Sequence, residues 1–191
     1  MAAFLLFTIP LSAQESFSEF YRHSQAVNNT GMYVLGGWAV ANIASGAFGW
    51  SEYSGKRMYF YQMNLFWNIV NVSIATYALY NNYTTDISNL DQEELMNKLI
   101  STENILLINA GLDAGYIGAG FLLRHLSVKY PKRSAMLKGY GNSIIMQGAF
   151  LLVFDVILYG ILRSNRMEFL NNTDLALIPG GLTISLNIPL Y

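Results

Sequence analysis

The residues best placed to do chemistry are acids inside otherwise apolar stretches. Asp113 and Asp155 each fall within such a stretch, and neither of these stretches contains a Lys or an Arg. An unpaired carboxylate in low dielectric tends to take up a proton or to bind a cation. We therefore expect at least one of the two acids to be neutral at pH 7, bound to a cation, or wetted by a cavity.

Asparagines accompany these acids at helical spacing. Asn64, Asn68 and Asn71 lie at positions i, i+4 and i+7, which places them on one helix face, and Asn109 precedes Asp113 by four residues. At a rise of 1.5 Å per residue, the polar side chains fall at depths of ~12–18 Å from the outer ends of the predicted helices. We therefore predict one buried polar cluster, a candidate ion, proton or ligand site, made of Asn42, Asn68, Asn71, Asn109, Asp113 and Asp155.

Three interpretations of this cluster remain open. Amides and protonated acids can join helices by hydrogen bonds, each contributing roughly 0.6–2 kcal/mol. Acids within a membrane also mark cation and proton pathways. Alternatively, the cluster is a polar pocket for a small ligand or a lipid headgroup. The structural interpretation is favoured, because four helices leave little room for a path.

Composition and motifs argue against most catalytic classes. The chain has no cysteine, which excludes thiolate catalysis and cysteine-ligated metal or iron–sulfur sites. The two histidines, His23 and His125, belong to opposite membrane faces in the predicted topology, which disfavours a bis-histidine haem. No nucleophile, metal triad or set of oxyanion donors accompanies the acids. We therefore predict a protein that is not an enzyme and has no cofactor.

The overall composition is typical of a membrane protein. Hydrophobic residues make up 53% of the 191 and charged residues only 12%, against about 25% in a soluble domain. The balance of 11 Lys+Arg and 12 Asp+Glu offers no basic surface for nucleic acid. Four stretches are long enough to span a hydrocarbon core of about 30 Å. The expected fold is an all-α membrane protein, a four-transmembrane-helix bundle with spans at about 30–50, 58–80, 100–123 and 139–162.

The N-terminal segment and the loop charges predict an orientation. Residues 1–13 have the apolar run and small residues of a signal peptide, so the transmembrane domain would occupy 14–170. Seven Lys and Arg lie in the first and third connections, against four on the other side, which predicts that both mature ends are outside the cytoplasm. Asp91 is predicted to cap a helix that leads into the third span.

The C-terminal tail and two stripes of small residues are predicted to make contacts within the bundle, with a partner or with another copy of the chain. In the tail, 171–191, apolar and polar residues alternate over 182–188, and the apolar run Leu175–Ile178 and the turn Pro179-Gly180-Gly181 precede them, which predicts a short extracytoplasmic β-hairpin. Such a hairpin must lean on the bundle, a partner or another copy, because alone it is marginal. Small residues recur every four positions in two spans, and we favour packing inside the bundle over homo-oligomer formation for them. These stripes are Gly37, Ala41, Ser45 and Gly49, and Gly111, Gly115 and Ala119.

Polar and aromatic motifs in the first two spans resemble those of a known family. They are Arg22, Asn28, Gly31-Met32, Leu35-Gly36-Gly37-Trp38 and Asn42, then Tyr59-Phe60-Tyr61-Gln62-Met63-Asn64 and Trp67-Asn68. The chain resembles an uncharacterised family (a domain of unknown function) of small four-span bacterial membrane proteins with a signal-like N-terminus. The resemblance implies a multi-pass protein of a bacterial inner (cytoplasmic) membrane and assigns no role to any residue.

These observations predict an integral membrane protein without enzymatic activity. Our first functional expectation is an accessory or interaction subunit that meets a protein partner, or another copy, through its glycine stripes or hairpin. The alternative is a small cation- or proton-coupled transport component that uses Asp113 and Asp155. An enzyme acting on a lipid is a distant third.

Overall fold

The computed structural model describes the backbone of residues 11–171, 173–178 and 181–186, and the side chains of 17–171. Four long helices are followed by two short antiparallel strands, with Thr173 opposite Leu186. The elements are α1 (Leu11–Glu52), α2 (Gly55–Thr84), α3 (Gln92–Lys129), a 3-10 turn (Pro131–Arg133), α4 (Ser134–Asn171), β1 (Thr173–Ile178) and β2 (Gly181–Leu186). Of the predicted signal segment 1–13, residues 1–10 lie outside the described residues. In the tail, residues 172, 179–180 and 187–191 also lie outside them.

Local chemistry explains where the helices begin and end. Gly55 opens α2 with a φ of +61°, a conformation that a side chain would disfavour, and so allows the tight turn after α1. Asp91 caps α3 as predicted: its Oδ1 accepts from Glu94 N at 2.8 Å, and Glu94 Oε2 accepts from Asp91 N at 3.1 Å. Pro131 begins the turn into α4, where its missing N–H costs no hydrogen bond.

The helices pack mainly as two pairs, which are joined chiefly by α2 on α4 and to a smaller extent by contacts of α1 with α3 and α4. α1 lies along α2, α3 lies along α4, and α2 also packs on α4. Within the described part of the chain, the backbones of α2 and α3 do not approach each other closely, which leaves a cleft between these helices. Leu35, Leu106 and Leu158 belong to the main apolar core, which α1, α2, α3 and α4 all share. A second, smaller core forms at one end around Phe17, Tyr21 and Leu95.

Glycines permit the closest of these approaches. A Cβ built on Gly120 of α3 would lie 2.7 Å from Gly141 O of α4, and one built on Gly46 of α1 would lie 2.9 Å from Tyr61 O of α2. The stripes singled out in the sequence are mostly elsewhere: among the described residues, Gly37, Gly111 and Gly115 have nothing within 4 Å of such a Cβ. The favoured internal packing is therefore wrong for these three, which face away from the neighbouring helices, whereas Gly49 of the first stripe does pack closely on the Tyr61 ring of α2.

The predicted fold class needs correction in two respects. Only α3 and the segment Pro131–Asn171 are long and apolar enough to cross a membrane, so two rather than four described helices are candidate spans. α1 and α2 fall short because amide, hydroxyl and glycine residues lower their hydropathy even where charges are few. The bundle, 11–171, is helical and contains no strand, and the two short strands lie after it, so the predicted hairpin is not an element of the bundle.

The glycine contacts lead to a stability prediction. Gly120→Ala should destabilise the bundle, because its methyl group would collide with the backbone of α4. Gly115→Ala on the same helix should be neutral or stabilising by up to about 1 kcal/mol, because it adds helix propensity in open space. Thermal unfolding of both variants in a mild detergent measures the difference. Equal midpoints would contradict the close packing of α3 on α4.

Candidate functional site

A chain of buried amides joins three helices. Asn64 of α2 donates to Asn42 Oδ1 of α1 at 2.8 Å, and Gln147 Nε2 of α4 donates to Asn64 Oδ1. Gln147 Oε1 in turn accepts from Trp38 Nε1 of α1 at 3.0 Å. Asn64, Asn68 and Gln147 are almost completely buried, so water does not compete for their hydrogen bonds.

The amide chain continues along α2 toward the acids. Asn68 donates to Asn64 O at 2.8 Å, and Asn71 donates to Asn68 Oδ1 at 3.3 Å. Among the hydrogen bonds of the described residues, Asn71 acts only as a donor. Its side chain also lines the cavity that contains Asp113 and Asp155. Asn71 therefore connects the amide network to the acidic pair.

The cavity lies in the cleft between α2 and α3. Its volume is about 350 Å³, within the range of small-molecule sites. Asp113 and Asp155 lie in it with only 3% and 5% of their surfaces exposed, and their carboxyl groups interact with each other. Asp113 Oδ2 is buried and has no hydrogen-bond partner within the described residues. The lining residues are Leu35, Trp67, Val70, Asn71, Ile74, Asn109, Leu112, Asp113, Tyr116, Leu151 and Asp155.

This arrangement limits what the acids can be. No Lys or Arg lines the cavity within the part of the chain that the structure describes. Two carboxylates side by side in low dielectric cannot both remain ionised without a cation, so the pair shares a proton or holds a positive group. A buried hydrogen-bond acceptor without a partner destabilises the folded state, and a donor that binds to it removes that cost. The cavity is therefore suited to a proton or a cationic group.

The six residues of the predicted cluster divide between these two features. Asn42 and Asn68 belong to the amide network, whereas Asn109, Asp113 and Asp155 line the cavity and Asn71 takes part in both. The six do not all surround one ligand-sized space. Among the described residues, no group of three or more His, Asp or Glu side chains could hold a metal ion.

A buried ion pair lies elsewhere, between α3 and α4. Arg166 donates to Glu103 through Nε at 2.7 Å and through a terminal nitrogen at 2.9 Å. The side chain of Glu103 is only 4% exposed. Glu103 and Arg166 line a small cavity of about 30 Å³. Tyr21 lines it too, and burial raises the pKa of the Tyr21 hydroxyl. This pair was not predicted from the sequence, although Glu103 lies inside the predicted third span and Arg166 just beyond the fourth.

Two aromatic contacts were also missed. The Trp67 and Tyr116 rings meet edge to face across the α2–α3 cleft, with centroids 4.8 Å apart. The Trp38 ring stacks on Phe150 at 3.9 Å and is held at its other end by Gln147. No spacing rule joins residues of different helices, so these contacts needed the tertiary structure.

The comparison with protein families matches this chain over residues 34–156. That range includes the amide network, Asp113 and Asp155. The chain belongs to DUF6992, a family of unknown function. This confirms the resemblance to an uncharacterised family. No curated protein and no solved structure matches the chain.

The network predicts the effect of removing Gln147. Gln147→Leu would leave Trp38 Nε1 without its acceptor and Asn64 Oδ1 with only the long 3.4 Å bond from Asn68, at a total cost of about 1–3 kcal/mol. Gln62→Leu is the matched control, because Gln62 makes one half-buried hydrogen bond, to Tyr140. Chemical unfolding should show a clearly larger loss for Gln147→Leu. Similar losses would mean that the amide network adds little.

The ion pair predicts a non-additive double substitution. Arg166→Met should destabilise by about 3–5 kcal/mol, because it leaves the Glu103 carboxylate buried without a cation. The double variant Glu103→Met/Arg166→Met should recover much of that loss, because no charge remains buried. Thermal unfolding of the two single variants and the double variant tests this. Additive losses would show that the two side chains act independently.

Proposed function

We propose that this protein is a non-enzymatic integral membrane protein that binds a cation or a proton at Asp113 and Asp155, as a small transport component. The observation that supports it most directly is the buried Asp113 Oδ2, which has no hydrogen-bond partner in the described part of the chain and lies in a cavity with a second acid. Acids held inside membrane helices without a counter-ion are typical of ion and proton pathways.

The outer faces of α3 and α4 support the membrane setting. Each helix has 38 residues where a span needs about 20, so both could cross the hydrocarbon core and extend beyond it. An exposed apolar surface of this extent is unusual on a soluble monomer. The exposed side chains on these two helices include Ile105, Leu107, Ile108, Leu112, Phe121, Leu122, Val128, Val153, Val156, Ile157 and Ile161.

The location we propose is a bacterial inner membrane, with both mature ends outside the cytoplasm. The five Lys and Arg residues between positions 124 and 138, around the turn from α3 to α4, support a cytoplasmic turn between the two candidate spans. The signal-like segment 1–13 supports the same orientation for the N-terminus, because a cleaved signal peptide leaves the mature end outside.

A second candidate function is an accessory subunit that meets a protein partner or another copy. One observation favours it: Gly111, Gly115 and Gly118 of α3 face open space. In a bilayer, small outward residues let another helix approach closely. The two candidates make different predictions, because an accessory subunit need not move or bind any ion.

Ion flux in proteoliposomes tests the first proposal. With H⁺, Na⁺ and K⁺ gradients and a pH- or cation-sensitive dye, wild type should respond to at least one ion. Asp113→Asn, Asp155→Asn and the double variant should reduce that response at least tenfold, because neither amide can take up a proton or balance a cation. Asp86→Asn, at an exposed acid in the α2–α3 connection, is the matched control.

Two outcomes would overturn the transport proposal. Equal flux from wild type and the double variant would remove these acids from the mechanism. A properly folded wild type without any ion response would favour the accessory role instead. Unfolding midpoints of all variants, measured in the same detergent, separate a lost site from a lost fold.

A further inference from the structure

The cavity has acidic and amide groups inside and an apolar entrance. Three residues at its edge, Val70, Ile74 and Leu112, are more than half exposed on the outer surface of the bundle. They come from α2 and α3, whose backbones do not approach each other closely. Leu112 and Asp113 lie near the middle of α3, a candidate span, so in the proposed membrane setting this entrance lies at the depth of the hydrocarbon and opens sideways to it.

The groups inside the cavity accept hydrogen bonds. Asp113 Oδ2 is nine-tenths buried and has no hydrogen-bond partner among the described residues, Asp155 lies beside it, and Asn71 donates one of its two amide hydrogens to Asn68. An ammonium group has three donors and no acceptor, so it matches such a set better than a hydroxyl or a carbonyl does. It would also balance the negative charge of the acidic pair.

The aromatic contact between Trp67 and Tyr116 adds to this match. The two rings join the walls of the cleft, and both line the cavity. Aromatic faces attract organic cations, the more strongly where water is excluded. Together with Ile74 and Leu112, they offer an apolar surface to any chain attached to the cation.

We propose that the cavity binds the primary ammonium head of a single-chain lipophilic amine, which enters from the hydrocarbon between α2 and α3. This inference rests on the proposed cation site and names the class of cation. The head contacts Asp113 and Asp155, and the alkyl chain leaves past Val70 and Leu112. The volume of about 350 Å³ accommodates the head and part of such a chain.

Binding to protein in lipid nanodiscs tests the class of ligand. The probe is dodecylamine, which is cationic at pH 7 as a lysine side chain is. Dodecanol has the same chain without charge, and methylamine has the same head without the chain. Calorimetry, corrected for partition into empty nanodiscs, should show dodecylamine binding at least tenfold more tightly than either.

Variants test the position of the head. Asp113→Asn and Asp155→Asn should each weaken dodecylamine binding at least tenfold, whereas Glu168→Gln, an exposed acid of α4, should not change it. Equal binding of dodecanol and dodecylamine, or no effect of either Asp variant, would overturn the proposal.

A second pair of variants tests the entrance. Val70→Trp should obstruct the opening and weaken dodecylamine binding at least tenfold. Ile69→Trp is the matched control, because Ile69 is exposed and next in sequence but does not line the cavity. If Val70→Trp does not fold, Leu112→Trp obstructs the opposite wall. Unchanged binding in a folded entrance variant would exclude this route.

The outcomes separate this inference from the proposed function. If flux of a small cation depends on Asp113 but dodecylamine binds no better than methylamine, the cation site stands and the lipophilic amine is rejected. If dodecylamine binds in an Asp113-dependent way but no ion moves, transport is rejected and the amine site stands.

Discussion

The structure depends on one requirement: polar side chains buried among apolar helices must find hydrogen-bond partners. Gln147 meets this requirement for three helices at once, since it accepts from Trp38 of α1 and donates to Asn64 of α2 while lying on α4. Because a register shift of any of these helices would separate the partners, the network specifies the alignment of α1, α2 and α4. Gly46 and Gly120 then allow the neighbouring backbones to come close.

The same packing of the helices leaves Asp113 and Asp155 lining a cavity. α2 packs on α1 and α4, and α3 packs mainly on α4. Where α2 faces α3, two aromatic rings bridge the helices, but the backbones do not come close to each other. Asp113 and Asp155 face each other at this incomplete seam. Glu103, on the same helix as Asp113, has Arg166 as its partner. Glu103 is thus neutralised within the chain, while Asp113 remains available.

Several features were predictable because they depend on residues close in sequence. Asp91 and Glu94 form the predicted capping box, and Asn64, Asn68 and Asn71 share a helix face as their spacing requires. The number of spans was predicted wrongly. The prediction rested on the small number of charged residues in α1 and α2. Their amide, hydroxyl and glycine residues also lower the hydropathy, so only α3 and the segment Pro131–Asn171 are candidate spans among the described helices.

By itself, the sequence determined the four helices, their polar faces and the lack of a buried cation near Asp113 and Asp155, since these follow from composition and from the 3.6-residue period. Only the tertiary structure decided that Asn42 and Asn68 join an amide network while Asn109 lines a cavity with the acids. The pairing of Glu103 with Arg166 and the outward position of Gly115 were decided there as well. The physical reason is that helical periodicity places a side chain on a face, but the rotation and pairing of whole helices determine what that face meets.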